Sequence, residues 1–393
     1  MKAIHLSHSD LFGGAARSAY NIHKSFVAAG IDSKMVVMKK ISKEKNVIEY
    51  NSSKLKIINK LKNFLQIIFS KLFFDGNSSF NIFPNSNLVN FVNSFNVDFV
   101  LIHWVHAEML SIEDIKRINK KKIFVLHDMW WINDYKHYFN ENKNFRNQIN
   151  YIKIISNFML NRKKKLNIKN IVTPSQWMLE CSKKFLGNRN INFKKINYAL
   201  NIKTFKPSLK KIKKIKKIRL LFLGFGKLDQ KRKGIDLLVD IIRNINHQNI
   251  ELTIVGDIDE RIFSKLNLDI RFIKSLKSDK SLSQIYNYSD ILLFTSRQDN
   301  YPNVVMEALS TGLPIISFNV GGSKDMIKSN YNGYLCKPFN KKDFILKLKK
   351  LIKRKKLRKK FSYNGRLFAK KNFDYKTVGK IYLTYLKSIN NDY

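Results

Sequence analysis

The chain of 393 residues carries 74 Lys and Arg against 29 Asp and Glu, a formal net charge of +45. Its hydrophobic fraction of 44% excludes a disordered chain and is enough to fill two domains of roughly 150–200 residues each. The two cysteines, Cys181 and Cys336, exclude a disulfide framework and a cysteine-based zinc site, and they fit a reducing compartment.

The N-terminus, MKAIHLSHSD, turns polar too early for a signal peptide, and no segment reaches the ~18 uninterrupted apolar residues of a spanning helix. A soluble or surface-bound cytosolic protein is expected. KAIHLS predicts a strand and Gly13–Gly14 a turn. AARSAYNIHKSFVAAG predicts a helix with Ala19, Ile22, Phe26 and Ala29 on one face, ended by Gly30. SKMVVM completes a βαβ unit, whose Gly-Gly turn lets backbone come close to a phosphate or a sugar. Residues 54–74 mix Lys with Leu, Ile and Phe. They read either as an amphipathic helix packed on the first domain or as one lying on an anionic membrane surface. VDFVLIHW, KKIFVLHD and NIVTPS predict further strands, hence a parallel sheet covered on both faces.

A basic, polar break at Phe205–Arg219 reads as a linker. Domains are therefore expected over 1–205 and 206–374, with a C-terminal helix of about 375–393 able to pack back on the first. After the break come IRLLFLGFG, a helix from about Gly234, IELTIVGD, IRFIKSL, DILLFTS, a helix over Asn303–Ser310, and LPIISF. The class is α/β, with two Rossmann-like domains facing a cleft.

Chemistry concentrates in SRQDNYPNVVMEALSTGLPIISFNVGGSKDMI, residues 296–327. A loop carrying Asp299 leads through Pro302 into a helix that bears Glu307 and stops at Gly312. The first amides of that helix, at Asn303 and Val304, suit an anion such as a diphosphate. By themselves the two acids read as a helix start and a solvated helix residue. The string as a whole closely resembles the Glu-x7-Glu region of retaining glycosyltransferases of family 4, which have the GT-B fold. The resemblance implies that Asp299, where Glu is usual, contacts the donor sugar and that Glu307 binds the ribose of a nucleotide. Gly321–Gly322 and Asn332–Gly333 also match. GKLDQKRKG resembles the family loop G-R-x5-K-G, which implies that Lys227, where Arg is usual, and Lys233 meet the donor diphosphate. There, preorganised cations would stabilise the charge that grows as the glycosidic bond breaks. The bland alternative is a lysine-rich surface loop.

Residues 101–131, with H-W on one strand and H-D-M-W on the next, look like a branch of the same family. The resemblance implies that His127, beside Asp128 at a strand's carboxyl end, contacts the donor sugar. His103, His106 and His137 read as structural histidines. That branch often continues with Gly-Cys-His-Tyr, whereas NDYKHYFNENKNF keeps His137–Tyr138 and no cysteine. TPSQWM and INYALNIKTFKP also fit, the latter with Asn201 where Asp is usual. Gly13–Gly14 match the family's N-terminal glycine loop, near the donor phosphates or the acceptor. No G-x-G-x-x-G and no G-x4-G-K-[ST] occurs, which removes support for dinucleotide oxidoreductases and P-loop enzymes.

The function expected from this resemblance is transfer of a sugar, with retention, from a UDP- or GDP-sugar to a glycan or lipid-diphosphate-linked acceptor in surface polysaccharide assembly. No metal is expected, because lysines and a helix terminus would stabilise the diphosphate. A cytoplasmic protein is expected, peripheral on the membrane if the basic surface serves anionic lipid. The Lys excess also fits drift in an AT-rich genome. The alternatives are an epimerase or phosphorylase of the same fold, and a nucleic-acid-binding protein, which +45 alone suggests and no recognition motif supports.

Overall fold

The computed structural model describes residues 1–50, 61–62, 64–65, 67–68, 78–138, 150–187, 190–208, 217–224, 230–245, 249–276 and 278–391. Most of the 54–74 segment, residues 209–216 of the expected linker, and Lys227 lie outside the described residues. The chain divides into two units, Met1–Ala199 with Val378–Tyr393, and Leu200–Thr377.

In the first unit, β1 (Lys2–Ser9), β2 (Asp32–Lys39), β3 (Val47–Glu49), β4 (Phe99–Ile102), β5 (Lys121–Val125), β6 (Asn170–Thr173) and β7 (Asn192–Lys195) form one sheet in the order β3-β2-β1-β4-β5-β6-β7. Every pairing between them is parallel. β4 is buried along its whole length. Unbroken apolar strands, as opposed to alternating ones, are what a parallel sheet covered on both faces requires. Ile4, Leu6, Val100, Ile102 and Phe124 enter the larger core on one side, and Ala19, Met35 and Val37 pack on the other.

The second unit repeats the plan. β8 (Ile218–Leu223), β9 (Ile250–Val255), β10 (Asp269–Ile273), β11 (Ile291–Phe294), β12 (Ile315–Phe318) and β13 (Gly333–Cys336) stand in the order β10-β9-β8-β11-β12-β13, again all parallel. Leu220, Phe222, Leu252, Ile254, Ile291 and Leu293 anchor its core. Both sheets reverse direction of winding once, between β1 and β4 and between β8 and β11. Helices from the two halves diverge at such a switch point and leave room above the strands' carboxyl ends for a ligand.

The segment that returns to the first unit is held by a close approach of backbones. The helix Tyr375–Asn391 buries Tyr382 against Phe26, ring centroids 5.0 Å apart. A Cβ at Gly379 would lie 2.0 Å from Ser25 O and 2.8 Å from Ala29 Cβ. Gly379→Ala is therefore expected to destabilise the protein despite the helix-propensity gain of about 1 kcal/mol. A net loss of about 1–3 kcal/mol from overpacking is expected in urea unfolding. Lys380→Ala, on the exposed face, should stay within about 0.5 kcal/mol of wild type.

Candidate functional site

In the second unit the loops beyond β8 and β11 are tied to each other by backbone. Thr295 Oγ1 donates to Lys233 O (3.1 Å) and Gly234 O (2.9 Å), and Arg297 N donates to Arg232 O (2.7 Å). Gly234 has φ +68, and a Cβ there would stand 2.1 Å from Thr295 O, so only glycine allows this approach. The result is a contact between two residues singled out in sequence: Lys233 Nζ lies 2.8 Å from Asp299 Oδ2. Arg232 Nη1 is 3.5 Å from the same oxygen and donates to Gln298 O at 3.0 Å. Asp299 itself is buried.

The Asp299 backbone is braced from the other side. Gly322 N donates to Asp299 O (3.0 Å), while Gly321, at φ +52, would place a Cβ 2.1 Å from that oxygen. The Gly321–Gly322 pair is therefore a support for the Asp299 loop. Asn332 does different work: it is buried, accepts from Lys328 N and donates to Met326 O, which closes the turn into β13.

The helix Asn303–Thr311 starts directly after this loop, with Pro302 at its cap and Asn303 and Val304 half-buried in its first turn. Its positive end thus faces away from the body of the helix toward the Asp299 side. Glu307 is buried, and its Oε2 accepts from Tyr286 OH at 2.7 Å. A carboxylate out of water needs such donors, and Tyr286 fixes where this one points. Asp299, Lys233, Asn303, Val304 and Glu307 thus belong to one end of one sheet. Arg232 and Tyr286 join them without having been singled out in sequence. The only signals for them were a place in the basic string 231–233 and an aromatic in an amphipathic helix.

The first unit carries a second polar constellation at the carboxyl ends of β4 and β5. A chain of side chains runs from Tyr198 OH to His127 Nδ1 (2.7 Å), from His127 Nε2 to His103 Nδ1 (2.9 Å), and from His103 Nε2 to His5 Nδ1 (2.8 Å). Whichever way the N–H groups point, His5 Nε2 is the end left without a hydrogen-bond partner among the described residues. Burial lowers the pKa of His127 to about 4, with the Asp128 charge opposing, and pushes His5 and His103 well below their usual value. Both nitrogens of His127 are therefore engaged, and any contact to a sugar needs one bond exchanged. Beside this chain, Asp128 Oδ1 accepts from Trp130 N (3.0 Å) and Oδ2 from His137 Nδ1 (2.6 Å), while His137 Nε2 meets Ser79 Oγ at 2.9 Å. Burial raises the Asp128 pKa, but the charge and hydrogen bond of His137, with His106, outweigh it and hold the carboxyl well below the usual range. Gly13 and Gly14 are exposed at the start of the helix Gly14–Ala28, where Gly13 adopts φ +90.

Residues 205–368 match the sequence model of the glycosyl transferases group 1. Protein CapJ of Staphylococcus aureus is 27% identical over 241 residues, 57% of this chain and 59% of CapJ. The amylovoran biosynthesis glycosyltransferase AmsD of Erwinia amylovora is 31% identical over 146 residues, 36% of this chain and 40% of AmsD. The chain thus spans about half the length of these curated relatives. The structure of HepE from Anabaena, described in complex with UDP-glucose, shares the fold at 16% identity, covering 99% of this chain and 100% of HepE with a TM-score of 0.70. The two parallel-sheet α/β units are those of the GT-B fold, as the sequence led us to expect. Among the described residues no helix is long and apolar enough to cross a membrane.

The buried histidines make stability depend on pH. His23 and His127 each fall from 6.5 to about 4 on folding, so at pH between those values the unfolded chain binds protons that the folded chain refuses. Stability is therefore complete above about pH 6.5 and declines as pH falls toward 4, by on the order of 3 kcal/mol for each such group. Urea midpoints measured from pH 8 to 4.5 should be level at the alkaline end and drop steadily below pH 6.5. A level midpoint between pH 6.5 and 5, where carboxylates still contribute little, contradicts this burial.

Proposed function

We propose that this chain, whose residues 205–368 belong to the glycosyl transferases group 1, transfers a sugar from a UDP- or GDP-sugar to a glycan or lipid-linked acceptor, with retention, in surface polysaccharide assembly. The observation that carries this reading is the Lys233–Asp299 contact at the switch point of the second sheet, beside the start of Asn303–Thr311. Relatives named for amylovoran and capsular polysaccharide biosynthesis support the pathway. The HepE complex with UDP-glucose supports the donor class.

In this reading the diphosphate takes Lys233 from Asp299. A doubly charged anion at the positive end of a helix competes well for a lysine whose present partner carries one charge. Lys233, Arg232 and the amides of Asn303 and Val304 then face the leaving phosphate, and we assign Lys227, of the same sequence string, to it as well. Asp299, released, accepts from hydroxyls of the sugar. Glu307, held by Tyr286, accepts from the ribose hydroxyls. The bond from the anomeric carbon to the phosphate oxygen breaks, the acceptor oxygen bonds to that carbon on the same face, and the acceptor proton passes to the leaving phosphate. Cations already in position meet the growing charge without a metal at that step. For the first unit, we assign acceptor recognition to the exposed Gly13–Gly14 turn. We assign a sugar contact to His127, made by exchanging its bond to Tyr198. A soluble protein with a basic, membrane-facing surface in the cytoplasm fits a lipid-linked acceptor.

Mass-spectrometric screening of UDP- and GDP-sugars should detect transfer or slow hydrolysis with one donor. Lys233→Ala is expected to lower kcat/KM by about 100-fold or more, as loss of a preorganised donor does. Glu307→Ala should abolish transfer and weaken binding of the free nucleotide, and Tyr286→Phe should weaken it less. Wild-type turnover in Lys233→Ala and Glu307→Ala together would remove the proposal. A product isomerised without an acceptor would indicate an epimerase, and dependence on free phosphate a phosphorylase.

A further inference from the structure

We propose that His106, Asp128 and His137 bind a divalent transition-metal ion of the zinc type, as a clamp within the first unit. A ring nitrogen of each histidine and a carboxylate oxygen of Asp128 lie within 4.8 Å of one another. The three residues come from separate stretches of chain: the loop beyond β4, the end of β5, and the turn that returns from Trp130 to Tyr138. An ion would therefore join segments that the sheet alone does not hold together.

Several features prepare the trio. His106 is 1% exposed, and its Nδ1 has no hydrogen-bond partner among the described residues. Such a nitrogen loses its water on folding and gains nothing in return, unless a ligand supplies the missing partner. Asp128 is oriented by Trp130 N on one oxygen, which leaves Oδ2 directed at His137. His137 is held at its far nitrogen by Ser79 Oγ, the outer bond that metal-bound imidazoles usually make. The indole of Trp130 lies edge-on to His106 at 4.4 Å, and Trp104 stacks on His137 at 6.0 Å, so apolar walls limit the rings to small motions.

The His106 loop is itself unusual. Ala107 and Glu108 follow His106 with φ of 55° and 56°, a left-handed pair without glycine. The Glu108 carboxylate accepts from Asn81 N and Phe83 N, each at 2.9 Å, which holds that conformation in place. Backbone strain of this kind persists only where surrounding structure fixes it, and here it fixes the approach of His106 to Asp128 and His137.

Two nitrogens and one carboxylate oxygen form the donor set of a borderline metal ion rather than of Ca²⁺ or Mg²⁺. With metal–nitrogen bonds of about 2.0–2.1 Å, tetrahedral donors stand about 3.3 Å apart. The ion would therefore part the 2.6 Å contact of His137 with Asp128 slightly and draw His106 inward. Lys163, 3.4 Å over the Trp130 ring, opposes a dication and moderates affinity. The order Ser79–His137–Asp128 also has the form of a nucleophile, base and acid. Ser79 is buried, however, its N–H is given to Tyr135 O, and its carbonyl accepts from Trp130 Nε1, so it offers no access for a substrate and no amide for an oxyanion.

The inference is independent of the transfer reading and is tested without activity. The full chain, stripped with EDTA and exchanged into chelator-free buffer, is titrated with zinc by calorimetry and against a chromogenic chelator. One zinc per chain is expected, with a raised unfolding temperature. X-ray absorption of the zinc form should show imidazole scattering, and this needs no variant. His106→Gln and His137→Gln should each weaken zinc binding by about tenfold or more, since even outer-shell changes reach that size. The proposal is overturned by the absence of stoichiometric binding in wild type, by an all-oxygen shell, or by unchanged affinity in both variants.

Discussion

The candidate donor site rests on one contact, the ion pair between Lys233 and Asp299. Neither side chain is freely solvated, with side-chain exposures of 17% and 12%, so each charge needs the other or a replacement. Removing one partner from such a pair typically costs about 3–5 kcal/mol, because the remaining charge is left desolvated. In the proposed reading, that penalty would make the arrangement responsive to a ligand. A group that brings its own negative charge can take the lysine only if Asp299 finds other donors at the same time, and a sugar hydroxyl beside a phosphate supplies them together.

What keeps the pair in register is backbone, and it explains why glycine recurs around it. Gly234 lets the Lys233 segment lie against Thr295 O, and Gly321 lets the following turn lie against Asp299 O, each at a distance that a Cβ would close to 2.1 Å. One glycine therefore sets the cation and another sets the acid. Arg297, ion-paired with Asp236 and donating its N–H to Arg232 O, stitches the same two loops farther out. The first unit solves a related problem with imidazoles. Polar groups at the ends of β4 and β5 are almost wholly excluded from water, and rings that both donate and accept can satisfy one another in series.

Ten of the thirteen strands among the described residues were legible, because parallel strands buried on both faces leave continuous apolar runs, and Pro174, Gly224 and Gly256 directly follow three of them; the short β3, β7 and β13 were not expected. The helix Asn303–Thr311 was expected over Asn303–Ser310, with Gly312 as its stop, and Gly312 does adopt the left-handed cap at φ +72. Partnerships across the fold were not legible. Nothing in the sequence joins Tyr286 to Glu307, because helical spacing tells which face is inward and not what lies opposite. The same holds for His5, His103 and His127, which lie on three strands or their ends and meet only once the order β1-β4-β5 is known. Matches to a family string were also silent on role. Ser175 in TPSQWM caps a helix through Met178 N, and Asn201 caps its own turn through Lys203 N and Thr204 N. The second of these shows why Asn can stand where Asp is usual: the acceptor oxygen is what the turn needs, and the charge is not.

The net charge of +45 turns out to be a poor guide to chemistry for the same reason. Most basic side chains here are solvated, and a solvated lysine is interchangeable with its neighbours. The informative cations are the few whose water has been taken away. Lys163 is buried, with its three N–H groups given to the carbonyls of Trp130, Asn133 and Asp134, and burial lowers its pKa well below that of an ordinary lysine. Its hydrogen bonds are complete, so it braces the turn after β5. Arg219 is bonded to Asp290 and stacked on Tyr288, which locks β8 to the residue preceding β11. Lys233 differs from both, because its partner is a single carboxylate on a loop at a strand end. Of these three cations, half-buried Lys233 is the one whose partner a ligand could replace, and the candidate site is read from that replaceable bond rather than from the abundance of charge.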